Sequence, residues 1–244
     1  MDSPEQLEGL RRAGRLVAAT LKALRSAVRP GITTGELDAL AADLFAADGA
    51  RSGPILTYDY PGSICVSVDH EVVHGIPGPR SLREGELVKL DVAAELDGYH
   101  ADAATTVTVG TADDEAQRLI AATRAALSAG IRAAQPGTRL RDVGAAVERT
   151  TRARGFRVIR ELTGHGIGRE MHEDPTVYNW PAPVAHQLLR AGSVFTIEPM
   201  ITAGRPQIVL GRDGWTISTM DRSLSAHEEH TIMVAKNGPV VLTA

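Results

Sequence analysis

Apolar residues recur at three- and four-residue spacing through Leu7, Leu10, Ala13, Val17, Leu21, Leu24 and Val28, the stripe of one helix face. Ser3, Pro4 and Gln6 precede the stripe in N-cap, first-turn and capping-box positions, and Arg29-Pro30-Gly31 stops it. A second helix is predicted from about Thr34 to Ala47, ending near Gly49. The same events return after Thr111. A stripe through Ala116, Ile120, Leu127 and Ile131 stops at Gln135-Pro136-Gly137, and a further helix runs to about Arg154, with Gly155 marking its end. An offset of 106 residues pairs Pro30 with Pro136, Gly31 with Gly137, Glu36 with Asp142 and Gly49 with Gly155. At an offset of 107, Gly85-Glu86-Leu87-Val88-Lys89-Leu90-Asp91 lies against Gly192-Ser193-Val194-Phe195-Thr196-Ile197-Glu198, with a carboxylate closing both runs. The pattern predicts two related halves, about residues 1–110 and 111–244, each offering an acid from an equivalent strand.

Between the helical pairs the period changes. Glu86 to Glu95 and Tyr99 to Val109 read as strands, and Asp97-Gly98 between them is a type I′ hairpin signal. With Asp97 and Gly98 as the turn, Leu96 faces Tyr99 and Asp102 faces Ala93. Asp91 then shares a face with Asp102 as a diagonal neighbour, near enough to hold one metal, or two metals about 3.5 to 4 Å apart. Two carboxylates on one face of a buried-looking strand pair destabilise the fold unless a cation or protons neutralise them. Glu198 closes another buried-looking strand, and Glu229 precedes His230-Thr231-Ile232-Met233-Val234. Gly164-His165-Gly166-Ile167-Gly168 offers an imidazole in a segment whose glycines permit close backbone approach. Four carboxylates and one imidazole make an oxygen-rich site suited to a pair of divalent first-row ions, with no thiolate for a structural zinc site. His74 in His74-Gly75-Ile76-Pro77 and His172 in Met171-His172-Glu173-Asp174-Pro175 are candidate acid, base or hydrogen-bonding groups.

Composition narrows the setting. The 244 residues are 43% hydrophobic, 23% charged and 4% aromatic, an ordinary globular balance able to build a core without cross-links. A net charge of −4 gives no general attraction to nucleic acid or anionic membrane. Cys65 is the single cysteine, so no internal disulfide is possible. The first twelve residues lack the apolar core of a signal peptide, and no stretch approaches a membrane span, so a cytoplasmic protein is expected.

Taken together these runs resemble the type I methionine aminopeptidases, the pita-bread metallohydrolases. The resemblance rests on Ser67-Val68-Asp69-His70-Glu71-Val72-Val73-His74-Gly75-Ile76-Pro77, Lys89-Leu90-Asp91-Val92, His100-Ala101-Asp102, the segment Gly164 to Gly168 with His172 to Pro175, Phe195-Thr196-Ile197-Glu198-Pro199-Met200, and Asp213-Gly214-Trp215. Ser223-Leu224-Ser225-Ala226 leading into Glu229-His230-Thr231 completes the set, which spans almost the whole chain. The resemblance implies an α+β pita-bread fold, in which two pseudo-symmetric halves form a curved antiparallel sheet covered by helices, in one catalytic domain over residues 1–244. It implies two divalent ions, of cobalt, manganese, iron or zinc, with Asp91 a ligand of one, Asp102 and Glu229 bridging, and His165 and Glu198 holding the other. It further implies that Glu198 shuttles protons, that His172 bonds the substrate near the scissile carbonyl, and that His74 contacts the peptide nitrogen. Tyr60, Cys65, Trp215 and Met171 match the methionine side-chain pocket. The implied partners are nascent polypeptide N-termini and a transient ribosome contact through the catalytic domain's own surface, with the chain a monomer and no nucleic-acid site.

Three positions depart from the family pattern. Glu228 stands where an aromatic residue is usual, so Glu228-Glu229 offers two ligand candidates, of which Glu229 is chosen because it adjoins His230-Thr231. Met171 replaces a common aromatic and His227 a common glutamine. The expected activity is removal of the initiator methionine ahead of a small second residue. The alternatives are an Xaa-Pro aminopeptidase or prolidase-like hydrolase, and a pita-bread binding protein without catalysis.

Overall fold

The computed structural model describes residues 3–244. Its first half runs α1 (Pro4–Ala27), α2 (Thr34–Ala47), β1 (Arg51–Ser52), α3 (Gly53–Tyr58), β2 (Cys65–Val68), β3 (Glu71–Val73), β4 (Leu87–Leu96) and β5 (Tyr99–Thr108). The second runs α4 (Asp114–Ala133), α5 (Leu140–Arg152), β6 (Arg157–Val158), β7 (Thr163–Gly166), β8 (Glu173–Tyr178), β9 (Val194–Ile197), β10 (Met200–Thr202), β11 (Ile208–Leu210), β12 (Ile217–Thr219), β13 (Ser225–His227), β14 (His230–Ala235) and β15 (Gly238–Val241).

The helix ends follow their local chemistry. Ser3 caps α1 by accepting from the Gln6 N–H, with Pro4 in the first turn. Thr33 and Glu36 form a reciprocal capping box on α2. The corresponding helix of the second half, α5, begins at Arg139 without a side-chain cap, so the pairing of Glu36 with Asp142 does not extend to capping.

The offset between the halves has a counterpart in the backbone. Gly31 and Gly137 both have positive φ, at 92° and 83°, and their N–H groups donate to Leu82 O and Leu189 O. Leu82 and Leu189 donate back to Ile32 O and Thr138 O, around the equivalent isolated bridges Thr33–Ser81 and Arg139–Leu188. Each half thus anchors its second helix to the segment leading into its main strand by the same bonds.

All strand pairs are antiparallel. One sheet pairs β4 with β1, β2 and β5, and another has the order β15-β14-β9-β7-β8. Asp97 and Gly98 both have positive φ, and the register between β4 and β5 is the expected one, with Leu96 opposite Tyr99 and Ala93 opposite Asp102. Helices α1 and α2 cover the first sheet through a core that includes Leu24, Leu37, Leu90 and Val92. Helices α4 and α5 cover the second through Leu119, Val143, Phe195 and Ile232. Each such apolar side chain contributes about 1.5–3 kcal/mol on burial, which holds the strands in register behind the acids they carry.

Candidate metal centre and substrate pocket

Asp91 and Asp102 project from β4 and β5 as diagonal neighbours, Asp91 opposite Ala104 and Asp102 opposite Ala93. The other two acids come from the second half. His230 pairs with Ile197 at the end of the β9–β14 ladder, so Glu198 and Glu229 follow one residue further on, at the same end of adjacent strands. Thr231 fastens the two halves together here: its Oγ1 accepts from the Asp102 N–H at 2.9 Å and donates to the Asp102 carbonyl at 2.7 Å. The Glu229 N–H donates to Ala104 O at 2.9 Å. Of the two adjacent glutamates, Glu229 faces the cluster, whereas Glu228 turns away to accept from Arg124 Nε at 3.0 Å and the Thr106 N–H at 3.2 Å.

His165 arrives on β7, pressed against β9. A Cβ on Gly164 would lie 2.6 Å from Thr196 O, and one on Gly166 would lie 2.2 Å from Asp174 O, so neither neighbour of His165 can carry a side chain. Its Nδ1–H donates to Gly166 O at 2.9 Å. A carbonyl can only accept, so the Nε2 lone pair is left bare. It faces Glu198 Oε1 at 3.6 Å and Asp102 Oδ2 at 3.9 Å. Thr196 Oγ1 donates to Glu198 Oε1 at 2.9 Å and accepts from the His165 N–H at 3.0 Å.

The electrostatics of this cluster are unfavourable without a cation. Burial raises the pKa of Asp91 to about 6 and pushes Asp102, Glu198 and Glu229 well above their ordinary values. Repulsion among the acids adds to this. Burial lowers His165 to about 3, so its ring is neutral. Asp102 Oδ1 and Glu229 Oε1 are buried without any hydrogen-bond partner among the described residues. Gaps of 3.6–3.9 Å between lone-pair atoms are too long for hydrogen bonds. They suit a divalent first-row ion, whose bonds to such ligands are about 2.0–2.2 Å long. The donor set therefore fits metal ions. Asp102, His165 and Glu229 form one group of converging ligand atoms, and Glu198, His227 and Glu229 form another.

The acids open into a cavity of about 1020 Å³. Tyr60, Cys65, Met171 and Trp215 line it together with His74 and His172. Cys65 on β2 pairs directly with Asp91 on β4, which sets the apolar wall beside the acids. Tyr60 meets Trp215 edge-to-face with centroids 5.2 Å apart, and its hydroxyl donates to Gly75 O at 2.7 Å. His74, at φ 57°, precedes this anchored carbonyl, and the Gly75 N–H donates to Ser67 Oγ at 3.0 Å. Trp215 is held by an Asp213 turn, its N–H donating to Asp213 Oδ1 at 2.9 Å. His172 stands at the mouth with its ring centroid 3.9 Å from that of His165. Its loop is fixed by Glu173, whose Oε1 accepts from the N–H groups of Arg169 and Glu170 at 2.7 and 2.9 Å.

All ten expected site residues thus face one cavity. Tyr58, the last residue of α3, carries no motif that marks it in the sequence, yet its hydroxyl lies 2.8 Å from His172 Nδ1. His227, in sequence only a departure from the family pattern, has its ring against Glu198 and Glu229.

Comparison with known proteins agrees with this geometry. Residues 8–236 match the model of Metallopeptidase family M24. The methionine aminopeptidase of Clostridium perfringens is 40% identical over 243 residues, covering 100% of this chain and 98% of the relative. That of Escherichia coli is 42% identical, covering 99% of this chain and 92% of the relative. The crystal structure of the Rickettsia prowazekii methionine aminopeptidase superimposes with a TM-score of 0.96 at 38% identity, covering 100% of this chain and 99% of that one. The chain belongs to metallopeptidase family M24, among its methionine aminopeptidases. Its fold is accordingly the α+β pita-bread fold.

Proposed function

We propose that this chain is a metal-dependent aminopeptidase that removes the initiator methionine from new polypeptides whose second residue is small. The observation that carries this reading is a buried cluster of four acids and a bare imidazole nitrogen, opening onto a pocket walled by Tyr60, Cys65, Met171 and Trp215. Asp91, Asp102, His165, Glu198 and Glu229 would hold two divalent ions. Such ions, when bound, lower the pKa of water and polarise a carbonyl as Lewis acids. The apolar walls with their sulfur atoms and aromatic edges suit an unbranched thioether side chain.

The remaining work falls to the chain's own side chains. His172 donates a hydrogen bond to the carbonyl oxygen as negative charge develops on it. For this its proton must sit on Nε2. Burial raises the Tyr58 pKa, so the phenol keeps its hydrogen and donates it to His172 Nδ1, which selects that tautomer. His74 contacts the scissile peptide nitrogen, and Glu198 carries a proton to the departing amine. Among the described residues no helix is long and apolar enough to cross a membrane. The reading places the protein in the cytoplasm as a single-domain monomer that meets its substrates at the ribosome.

Three results check this account. Metal-loaded protein should hydrolyse Met-Ala-Ser and leave Ala-Pro intact, whereas preferential cleavage of Ala-Pro would favour a prolidase-like enzyme. Trp215→Ala should reduce the preference for methionine over alanine at the first position by about tenfold or more, since pocket contacts discriminate such side chains by about 1–3 kcal/mol. An unchanged ratio of kcat/KM values would place the pocket elsewhere. Tyr58→Phe keeps the ring against His172 and loses only the hydroxyl. It should lower kcat about tenfold, the worth of one hydrogen bond of about 1.4 kcal/mol, with KM nearly constant. In a His172→Ala background the same change should have no further effect.

A further inference from the structure

We propose that His227 is an additional nitrogen ligand of the metal centre, giving this chain two coordinating imidazoles, and that it binds on the side formed by Glu198 and Glu229. The inference rests on the reading of the acid cluster as a metal site and concerns a residue outside the five ligands assigned above.

The geometry of His227 repeats that of His165. His165 Nε2 faces two carboxylate oxygens at 3.6 and 3.9 Å, from Glu198 and Asp102. His227 Nε2 faces two at 3.8 and 3.7 Å, from Glu198 and Glu229. The two imidazoles address opposite oxygens of the same glutamate, Oε1 for His165 and Oε2 for His227. In each case the spacing is too long for a hydrogen bond and suits one ion held between the atoms.

His227 has nothing else to do where it stands. It is 1% exposed, and neither ring nitrogen has a hydrogen-bond partner among the described residues. Leaving both ring nitrogens of a buried imidazole unpaired costs free energy that a surface or capping histidine does not incur. Coordination of Nε2 removes half of that cost. The ring is also held in place. His227 closes β13 opposite Met200 on β10, and a single hydroxyl clamps its backbone. Thr106 Oγ1 accepts from the His227 N–H at 2.9 Å and donates to its carbonyl at 2.7 Å. The next residue, Glu228, is fixed by Arg124 and the Thr106 N–H. A donor preorganised in this way fits a ligand better than a residue that merely fills space.

A second imidazole changes what the site prefers. Carboxylates favour hard ions such as manganese, and imidazoles favour zinc, iron and copper. His227→Gln, which keeps a polar side chain but removes the ring nitrogen, should shift competitive binding from zinc towards manganese.

The deciding experiment is NMR of the full chain with isotope-labelled histidine, stripped of metal and then loaded with an NMR-active cadmium isotope, because scalar coupling to cadmium reports a direct bond. Two coupled ring nitrogens in the parent and one in His227→Gln would establish His227 as a ligand. If the variant does not fold, the count in the parent decides alone. One coupled nitrogen in the parent would overturn the proposal while leaving the metal centre itself intact. No coupled nitrogen would overturn both.

Discussion

Asp102→Ala should abolish peptide hydrolysis and remove the thermal stabilisation expected from divalent metal in the parent protein. The expectation follows from position. Asp102 has Asp91, Glu198, Glu229 and His165 as neighbours, and its Oδ1 is buried without a partner among the described residues. On the proposed function it would be shared between two ions, so its loss would remove a ligand from each at once. Asp91→Ala, at the edge of the cluster, should chiefly weaken one. A ligand that binds the folded state alone stabilises it by about 2.7 kcal/mol at a hundred times its Kd, so the melting temperature of the parent should rise with added metal. The variant has one fewer buried acid, and it should be at least as stable as the parent when both are stripped. Melting temperatures with and without metal, measured beside turnover, separate loss of the site from loss of the fold. A variant that is fully active after chelation would end the metal-centre account.

His172→Ala should lower kcat by about 10²- to 10³-fold while metal binding and folding stay close to those of the parent. The residue lines the cavity outside both groups of converging ligand atoms, and the proposed function assigns it no part in holding the ions. Its proposed contribution is a hydrogen bond that strengthens as the carbonyl oxygen gains charge, and such a bond acts on kcat more than on KM. A histidine that only lines the entrance would, when removed, alter KM or nothing. A kcat within about twofold of the parent on Met-Ala-Ser would remove His172 from the mechanism.

Some of this site was legible in the sequence because local rules determine it. The Asp97-Gly98 turn sets the β4–β5 register, and the register alone sets Asp91 diagonal to Asp102. The helices announce themselves by their stripes and their Pro-Gly ends. The placement of Glu198 beside Glu229 depends on β9 pairing with β14, strands separated along the chain by β10 to β13 and their loops, and no local signal specifies that pairing. The choice between Glu228 and Glu229 is a different case. Both lie in the short link between β13 and β14, where the sequence favours Glu229 only through its neighbours His230-Thr231, and the contacts of Glu228 with Arg124 and Thr106 show which of the two turns away from the cluster. Tyr58 and His172 are 114 residues apart, and α3, which carries Tyr58, is a single short helix without a periodic stripe. The two unpaired nitrogens of His227 become visible only when its surroundings are built.

The most direct test of the central claim is to strip the protein of metal and follow Met-Ala-Ser hydrolysis while a single divalent ion is titrated back. The account predicts no turnover in the stripped protein, recovery on titration, and saturation of binding at two ions per chain. Undiminished turnover in the stripped protein, with bound metal shown to be absent, would contradict it.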